Sequence, residues 1–183
     1  MRNAVLIASA VLLTGSAAVA RLGPEDDLAR AVAEVERLDA MRATLAGGIG
    51  SAANPDRGMF QAVCAPVGEE GKRIGAANGW TVRQLAEKYR NPVNAADTEA
   101  ARFIHLLATD PGMQGIWIRT TMNGTPGMRY LRRIEVKESC MPCHGTRDSR
   151  PDFIKDGYPR DRAYNFEVGD IRGVYSVFIP DAR

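Results

Sequence analysis

The chain has 183 residues, with 24 basic and 22 acidic side chains and a formal net charge of +2. A charge this close to balance argues against nucleic acid or a strongly charged membrane surface as a partner. The length is that of one domain, and it is sufficient to bury a core without several disulfides.

The N-terminal segment has the pattern of an export signal. Arg2 supplies a positive charge, residues 4–13 are small or apolar, and Ala18-Val19-Ala20 matches an A-x-A cleavage site. The apolar run is shorter than the roughly 20 residues that a membrane span needs. We therefore expect a signal peptide over residues 1–20, cleaved after Ala20, and a periplasmic domain over residues 21–183 without stable membrane insertion. Retention of the segment as an uncleaved anchor is the alternative.

The first part of the expected mature chain is patterned as helices. Acidic residues after Pro24 and a mostly helical apolar period predict a helix from Pro24 to about residue 46. A second helix is predicted over residues 56–67, and a third over residues 98–109 with Asp97 as its N-cap. The segments between them are predicted as a polar loop (68–79), a short helical turn (81–89) and an irregular stretch (90–94).

The second part is patterned as strands. Residues 115–121 and 128–136 alternate and are rich in β-forming residues, and Asn123-Gly124 between them indicates a hairpin with a slightly long loop. Residues 173–180 predict a third strand. Helices followed by antiparallel strands predict an α+β fold.

The run Cys140-Met141-Pro142-Cys143-His144 follows the second predicted strand and has the C-x-x-C-H pattern. Two thiols at this spacing can each add to a vinyl group of one haem, and the adjacent histidine can bind the iron. We therefore predict one covalently attached haem c per chain, held by Cys140 and Cys143 with His144 on the iron. The polar residues 150–172 are expected to form a loop beside it.

Two other kinds of site use a C-x-x-C pair. A dithiol oxidoreductase would continue into a helix, whereas residues 145–151 have the composition of a loop. A structural zinc site needs about four ligands, and only Cys64 and His105 remain to complete it. His105 falls off the apolar face of its predicted helix, which indicates a surface histidine.

Cys64 is left without a partner once Cys140 and Cys143 are assigned to haem. It shares an apolar stripe of the second predicted helix with Phe60, Val63 and Val67, so we expect it to face inward. From the residues alone, a buried core thiol that behaves as a small hydrophobe is the simpler explanation of this pattern.

The order of these elements resembles a family of small exported proteins with a single c-type haem on a PAS-like domain. The resemblance is carried by residues 60–66, 90–94, 130–145, Tyr158-Pro159-x-Asp161 and 169–173. It implies a PAS-like antiparallel sheet, a haem between the helices and the sheet, and iron held by His144 and Cys64. It also makes Arg90 and Asn91 candidate partners of the haem propionates, with ordinary loop roles as the alternative.

A thiolate opposite an imidazole favours ferric iron and should lose its hold on reduction. We therefore expect a redox sensor, or a sensor of carbon monoxide or nitric oxide, with a labile Cys64 ligand. A low-potential electron-transfer cytochrome is the alternative, and Met113, Met122 and Met128 keep methionine ligation open. A haem enzyme is not expected, because His105 is the only other histidine. A sensor without an output domain would need a signalling or redox partner, which the sequence does not identify.

Overall fold

The structure is a computed structural model that describes residues 24–49 and 55–181. The predicted signal peptide lies outside these residues, so cleavage and export remain predictions. No helix within the two described ranges is long and apolar enough to cross a membrane.

Helices precede an antiparallel sheet, as the sequence predicts. The helices are α1 (Pro24–Gly47), α2 (Arg57–Asn78), α3 (Thr98–Thr109), α4 (Met141–His144) and α5 (Asp152–Gly157), and the strands are β1 (Thr81–Leu85), β2 (Gly115–Met122), β3 (Thr125–Glu135) and β4 (Ile171–Pro180). The strands lie in the order β1-β4-β3-β2, and every neighbouring pair is antiparallel. The α+β prediction is confirmed.

The sheet is covered on both faces by helices. Successive side chains of a strand point to opposite faces, so Tyr130 and Leu131 of β3 enter two different cores. Tyr130 packs with residues of α1 and α2 such as Leu38 and Ile74. Leu131 packs with α3, whose Ile104 and Leu107 are buried and whose Phe103 is partly buried on the same face.

Two predictions for the region after residue 67 are wrong. Residues 68–79 are not a loop, because α2 continues to Asn78 and ends at Gly79, which has a left-handed φ of 68°. The glycines of this segment serve close packing: a Cβ on Gly75 would lie 2.8 Å from the Trp80 carbonyl oxygen. Residues 81–85 are not a helical turn but the edge strand β1, paired with β4 from Thr81↔Phe178 to Leu85↔Val174.

The predicted hairpin is present, with a shorter loop than expected. Met122 pairs with Thr125, so Asn123 and Gly124 alone form the turn, with φ values of 51° and 81°. Positive φ at both central residues is what a type I′ turn requires. The predicted loop over residues 150–172 is mostly irregular, but it contains the short helix α5.

Arg129 connects α3 to the sheet. Its guanidinium is nearly inaccessible and donates hydrogen bonds to both carboxylate oxygens of Asp97, at 3.0 and 2.7 Å, and to Glu99 at 2.8 Å. Asp97 also accepts the N–H of Ala100 at 2.8 Å, which caps α3. Burial acts to raise the pKa of Asp97, but the bonds from Arg129 and Ala100 outweigh it, so the pKa is lowered.

Asp97→Ala is expected to lower the free energy of unfolding by about 2 kcal/mol, measured by urea denaturation. About 1 kcal/mol comes from the lost cap and about 1 kcal/mol from the lost charge-assisted bonds to Arg129. The control is Asp56→Ala, because Asp56 caps α2 through Met59 N–H at 2.7 Å and pairs with no arginine of the described part of the chain, and it should cost about 1 kcal/mol. Equal losses in the two variants would contradict the contribution of Arg129.

Candidate functional site

A cavity of about 540 Å³ lies between α2, the β1–β4 side of the sheet and the C-x-x-C-H segment. Its volume is within the range of roughly 300–1,000 Å³ that is typical of small-molecule and cofactor pockets. The six residues predicted as site residues all line it: Cys64, Arg90, Asn91, Cys140, Cys143 and His144. The fold thus brings together three separate parts of the chain, while the individual roles of these residues stay predictions.

His144, the last residue of α4, is held in one orientation. Its Nδ1 lies 2.8 Å from the Ala163 carbonyl oxygen, which can only accept, so Nδ1 carries the proton. The ring of Phe166 lies edge-on at 5.9 Å. Burial, together with the positive charges of Arg172 and Arg90, holds the pKa of His144 well below its usual range. The imidazole is therefore neutral, with Nε2 free to donate to a metal, as in metal-binding histidines.

Cys140 and Cys143 are both free thiols. Cys140 is partly buried beside Val136, Ala163 and Phe166, and its Sγ accepts the Lys137 N–H at 3.4 Å. Cys143 is buried, and burial raises the pKa of its thiol to about 11. Reactive dithiol enzymes instead lower the pKa of a cysteine, so this environment does not favour the oxidoreductase alternative.

Cys64 lies on the wall of α2 that faces the cavity. Its side chain is exposed there, among Phe60, Val63 and Val67, rather than packed in the core. The interpretation as a core thiol is therefore not what the structure shows. Pro66, two residues further on, lies inside α2. Although Cys64 is exposed to the cavity, the surrounding protein partly desolvates its thiol and raises the pKa of Cys64, while the positive charge of Arg90 opposes the rise.

Arg90 and Asn91 have structural contacts in addition to their place in the cavity wall. Arg90 is buried; its Nη2 donates to the Cys143 carbonyl oxygen at 2.7 Å, and its Nε lies 3.5 Å from Asp161 Oδ1. Its guanidinium also lies 5.9 Å from the ring of Phe60 on α2. Asn91 accepts the Val93 N–H at 3.2 Å and caps the short turn at Pro92–Asn94. Binding of propionates by either residue stays a prediction.

Asp161 is a buried residue that the sequence analysis did not assign to the site. Its carboxylate accepts the Ala163 N–H at 2.8 Å and a bond from Arg150 Nη1 at 2.6 Å. It therefore fixes the turn whose Ala163 carbonyl orients His144. The element Tyr158-Pro159-x-Asp161 contained this residue, but nothing local in the sequence indicated what it would hold.

Two cationic residues of the cavity wall were also missed. Arg42 of α1 is paired with Asp39 at 2.8 Å, and Arg172 at the start of β4 donates to the Lys88 carbonyl oxygen at 2.8 Å. Arg172 belongs to the segment 169–173 that carried part of the resemblance, so that segment was the available signal. His105, as predicted, lies on the surface, 3.2 Å from Glu87.

Known proteins resemble this chain over most of its length. A family model described as Tll0287-like matches residues 24–180. The chain belongs to the Tll0287-like family. A solved structure, that of the cyanobacterial heme-protein Tll0287, is 43% identical with a TM-score of 0.78, over 88% of this chain and 99% of that one. A comparison with curated proteins gives no match.

The cavity of this Tll0287-like chain has the groups that a covalently held haem needs. It offers two free thiols, a neutral imidazole with a free nitrogen, a third thiol on the wall and several arginines. The described residues contain no group of three or more histidine, cysteine, aspartate or glutamate side chains that could hold a metal ion.

Asp161→Ala is expected to lower the free energy of unfolding by about 3 kcal/mol or more, because it leaves Arg150 and Arg90 buried without their carboxylate. The free energy of unfolding is measured by chemical denaturation of the purified protein. The control is Asp152→Ala on α5, whose carboxylate is 89% exposed and pairs with Lys155, and its effect should stay within about 0.5 kcal/mol. A loss for Asp161→Ala as small as that of the control would contradict the anchoring role.

Proposed function

We propose that this chain is an exported haem-binding protein with one haem c attached through Cys140 and Cys143. The observation that carries the proposal is the meeting of these two thiols, His144 and Cys64 at one cavity. Membership in the Tll0287-like family supports it, because a solved relative is described as a heme-protein. The signal pattern of residues 1–20 supports export to the periplasm.

A bound haem supplies one-electron exchange and an iron that can accept a diatomic gas. Our proposal gives His144 the role of the fixed iron ligand, because Ala163 holds its tautomer and ring orientation. It gives Cys64 the role of the second ligand, since its side chain is accessible in the cavity wall. Among the residues that the structure describes, no hydrogen-bond partner holds the Cys64 thiol as Ala163 holds His144, so the two proposed ligands are held unequally.

This unequal hold supports a redox or diatomic-gas sensor. Burial raises the pKa of Cys64, so the thiol ionises only with help from a nearby positive charge. Ferric iron would offer the thiol more of this help than ferrous iron, so reduction of a bound haem would favour protonation of Cys64 and its release from the iron. A signalling or redox partner would read the change, and the partner is not identified by any feature of the chain.

A low-potential electron carrier is the second candidate. Cys64 and His144 would serve it equally well if both stayed bound in the two oxidation states. Methionine ligation has less support, because Met113 packs beside α3, Met122 and Met128 lie in the β2–β3 hairpin, and none of the three is among the described residues that line the cavity. We propose a binding rather than an enzymatic role, since His105 lies on the surface.

Covalent attachment is tested on protein made with a haem-attachment system. Wild type should keep its haem through acid–acetone extraction and denaturing electrophoresis, and Cys140→Ala combined with Cys143→Ala should lose it, because each thiol forms one bond to the porphyrin. The matched control is Cys64→Ala, which removes the third cysteine and should keep the covalent haem. Wild type that carries no haem after this treatment would overturn the proposal and favour a dithiol role.

The labile ligand is tested by substitutions at Cys64. Ferric wild type should be low-spin with a thiolate signature in electron paramagnetic resonance, and Cys64→Ala should become high-spin or accept added ligands. Ferrous wild type should bind carbon monoxide readily. Cys64→Met should raise the midpoint potential, because a neutral thioether favours ferric iron less than a thiolate does, and should slow that binding.

The control for lost packing is Val63→Ala, which trims a neighbouring residue in the cavity wall and should keep the thiolate signature. If the spectrum of Cys64→Ala is the same as that of wild type, Cys64 does not bind the iron. A ferrous wild type that stays six-coordinate and ignores carbon monoxide would favour the electron carrier over the sensor.

A further inference from the structure

Arg172 is a half-buried cation that lines the cavity. It donates to the Lys88 carbonyl oxygen at 2.8 Å, and its guanidinium lies 5.4 Å from the ring of Phe166. No aspartate or glutamate within residues 24–49 and 55–181 forms an ion pair with it, unlike Arg42, which pairs with Asp39. The guanidinium of Arg172 therefore has N–H groups that make no hydrogen bond to the described protein groups.

The surroundings of Arg172 destabilise a positive charge. Burial, and then the like charge of Arg90, lower the pKa of its guanidinium to about 10. A cation in such surroundings destabilises the fold unless an anion pairs with it. The backbone beside it lies close to β1, since a Cβ on the next residue, Gly173, would lie 2.3 Å from the Leu85 carbonyl oxygen. The start of β4 thus places Arg172 at the cavity, although burial there destabilises its positive charge.

The charges of the described cavity wall do not balance. Arg90 of the wall shares the single carboxylate of Asp161 with Arg150, and these two partners lie outside the cavity lining, so this group of three residues carries one positive charge in excess. Arg172 adds a second. The acidic side chains of the wall do not offset them, because Glu69 pairs with Lys72 and Glu135 pairs with Lys137. An excess of two positive charges matches a ligand with two carboxylates, which is the charge that the propionates of one haem carry.

We propose that Arg172 binds a carboxylate of the haem through its guanidinium. The inference rests on the proposed function, since the haem supplies the anion. Arg172 suits this role better than Arg90, whose guanidinium already donates to the Cys143 carbonyl oxygen and faces Asp161. The planar fork of an arginine matches a carboxylate with two parallel hydrogen bonds, whereas a lysine offers a point charge.

The test compares Arg172→Gln in the haem-loaded and the haem-free full-length chain by thermal unfolding. With haem, the variant loses the carboxylate bond, so its Tm should fall by about 4 °C or more. Without haem, the variant removes an unpaired cation, so its Tm should stay equal or rise. In the haem-loaded form, the Tm of Arg172→Lys should fall less than the Tm of Arg172→Gln. Arg162→Gln is the matched control, because Arg162 is exposed beside Tyr89 and does not line the cavity.

A second readout uses only the loaded protein, in case the haem-free chain gives no cooperative transition. The propionate bending band in the resonance Raman spectrum should shift in Arg172→Gln and keep its wild-type position in Arg162→Gln. Equal destabilisation of both forms, or an unshifted band, would overturn the role of Arg172 while leaving haem attachment intact. Wild type without any haem would overturn the proposed function and this inference together.

Discussion

The buried carboxylate of Asp161 is the contact on which the site depends. It accepts the Ala163 N–H, neutralises one of the two arginines beside it, and so fixes the turn whose carbonyl orients His144. Arg90 extends the same contact to the Cys143 carbonyl and to the ring of Phe60 on α2. A single buried charge therefore aligns the C-x-x-C-H segment, the segment after it and the helix that carries Cys64. A buried charge of this kind is tolerable only because every neighbour is in place.

Local sequence patterns predicted the elements whose structure depends on residues that are close together in the chain. The C-x-x-C-H run needs no tertiary information, and α3 follows from the cap at Asp97 and its apolar face. The Asn123-Gly124 turn follows from the two positive φ values that these residues tolerate. The inward position of Cys64 also followed from helical spacing, although its exposure within a cavity did not.

The parts that the sequence did not predict depend on contacts between distant residues. Gly71 and Gly75 have the propensity of loop residues, yet in α2 their missing side chains let the helix lie against Val82 of β1. β1 is a strand because β4, almost a hundred residues later, pairs with it. Asp161 and Arg172 read as ordinary polar residues until the fold buries them beside the cavity. No single-sequence pattern specifies such partners.

Pro66 gives α2 a point of low bending resistance close to Cys64. A proline has no N–H, so the carbonyl of Ala62 lacks its usual helical partner and the helix is easier to bend there. The later turns of α2 are anchored on β1 by Gly71 and Gly75, whereas Cys64 precedes the proline. A bend at Pro66 would move Cys64 together with Phe60 and its ring contacts to Phe153 and Tyr158, while the contact between the later turns and β1 stays unchanged.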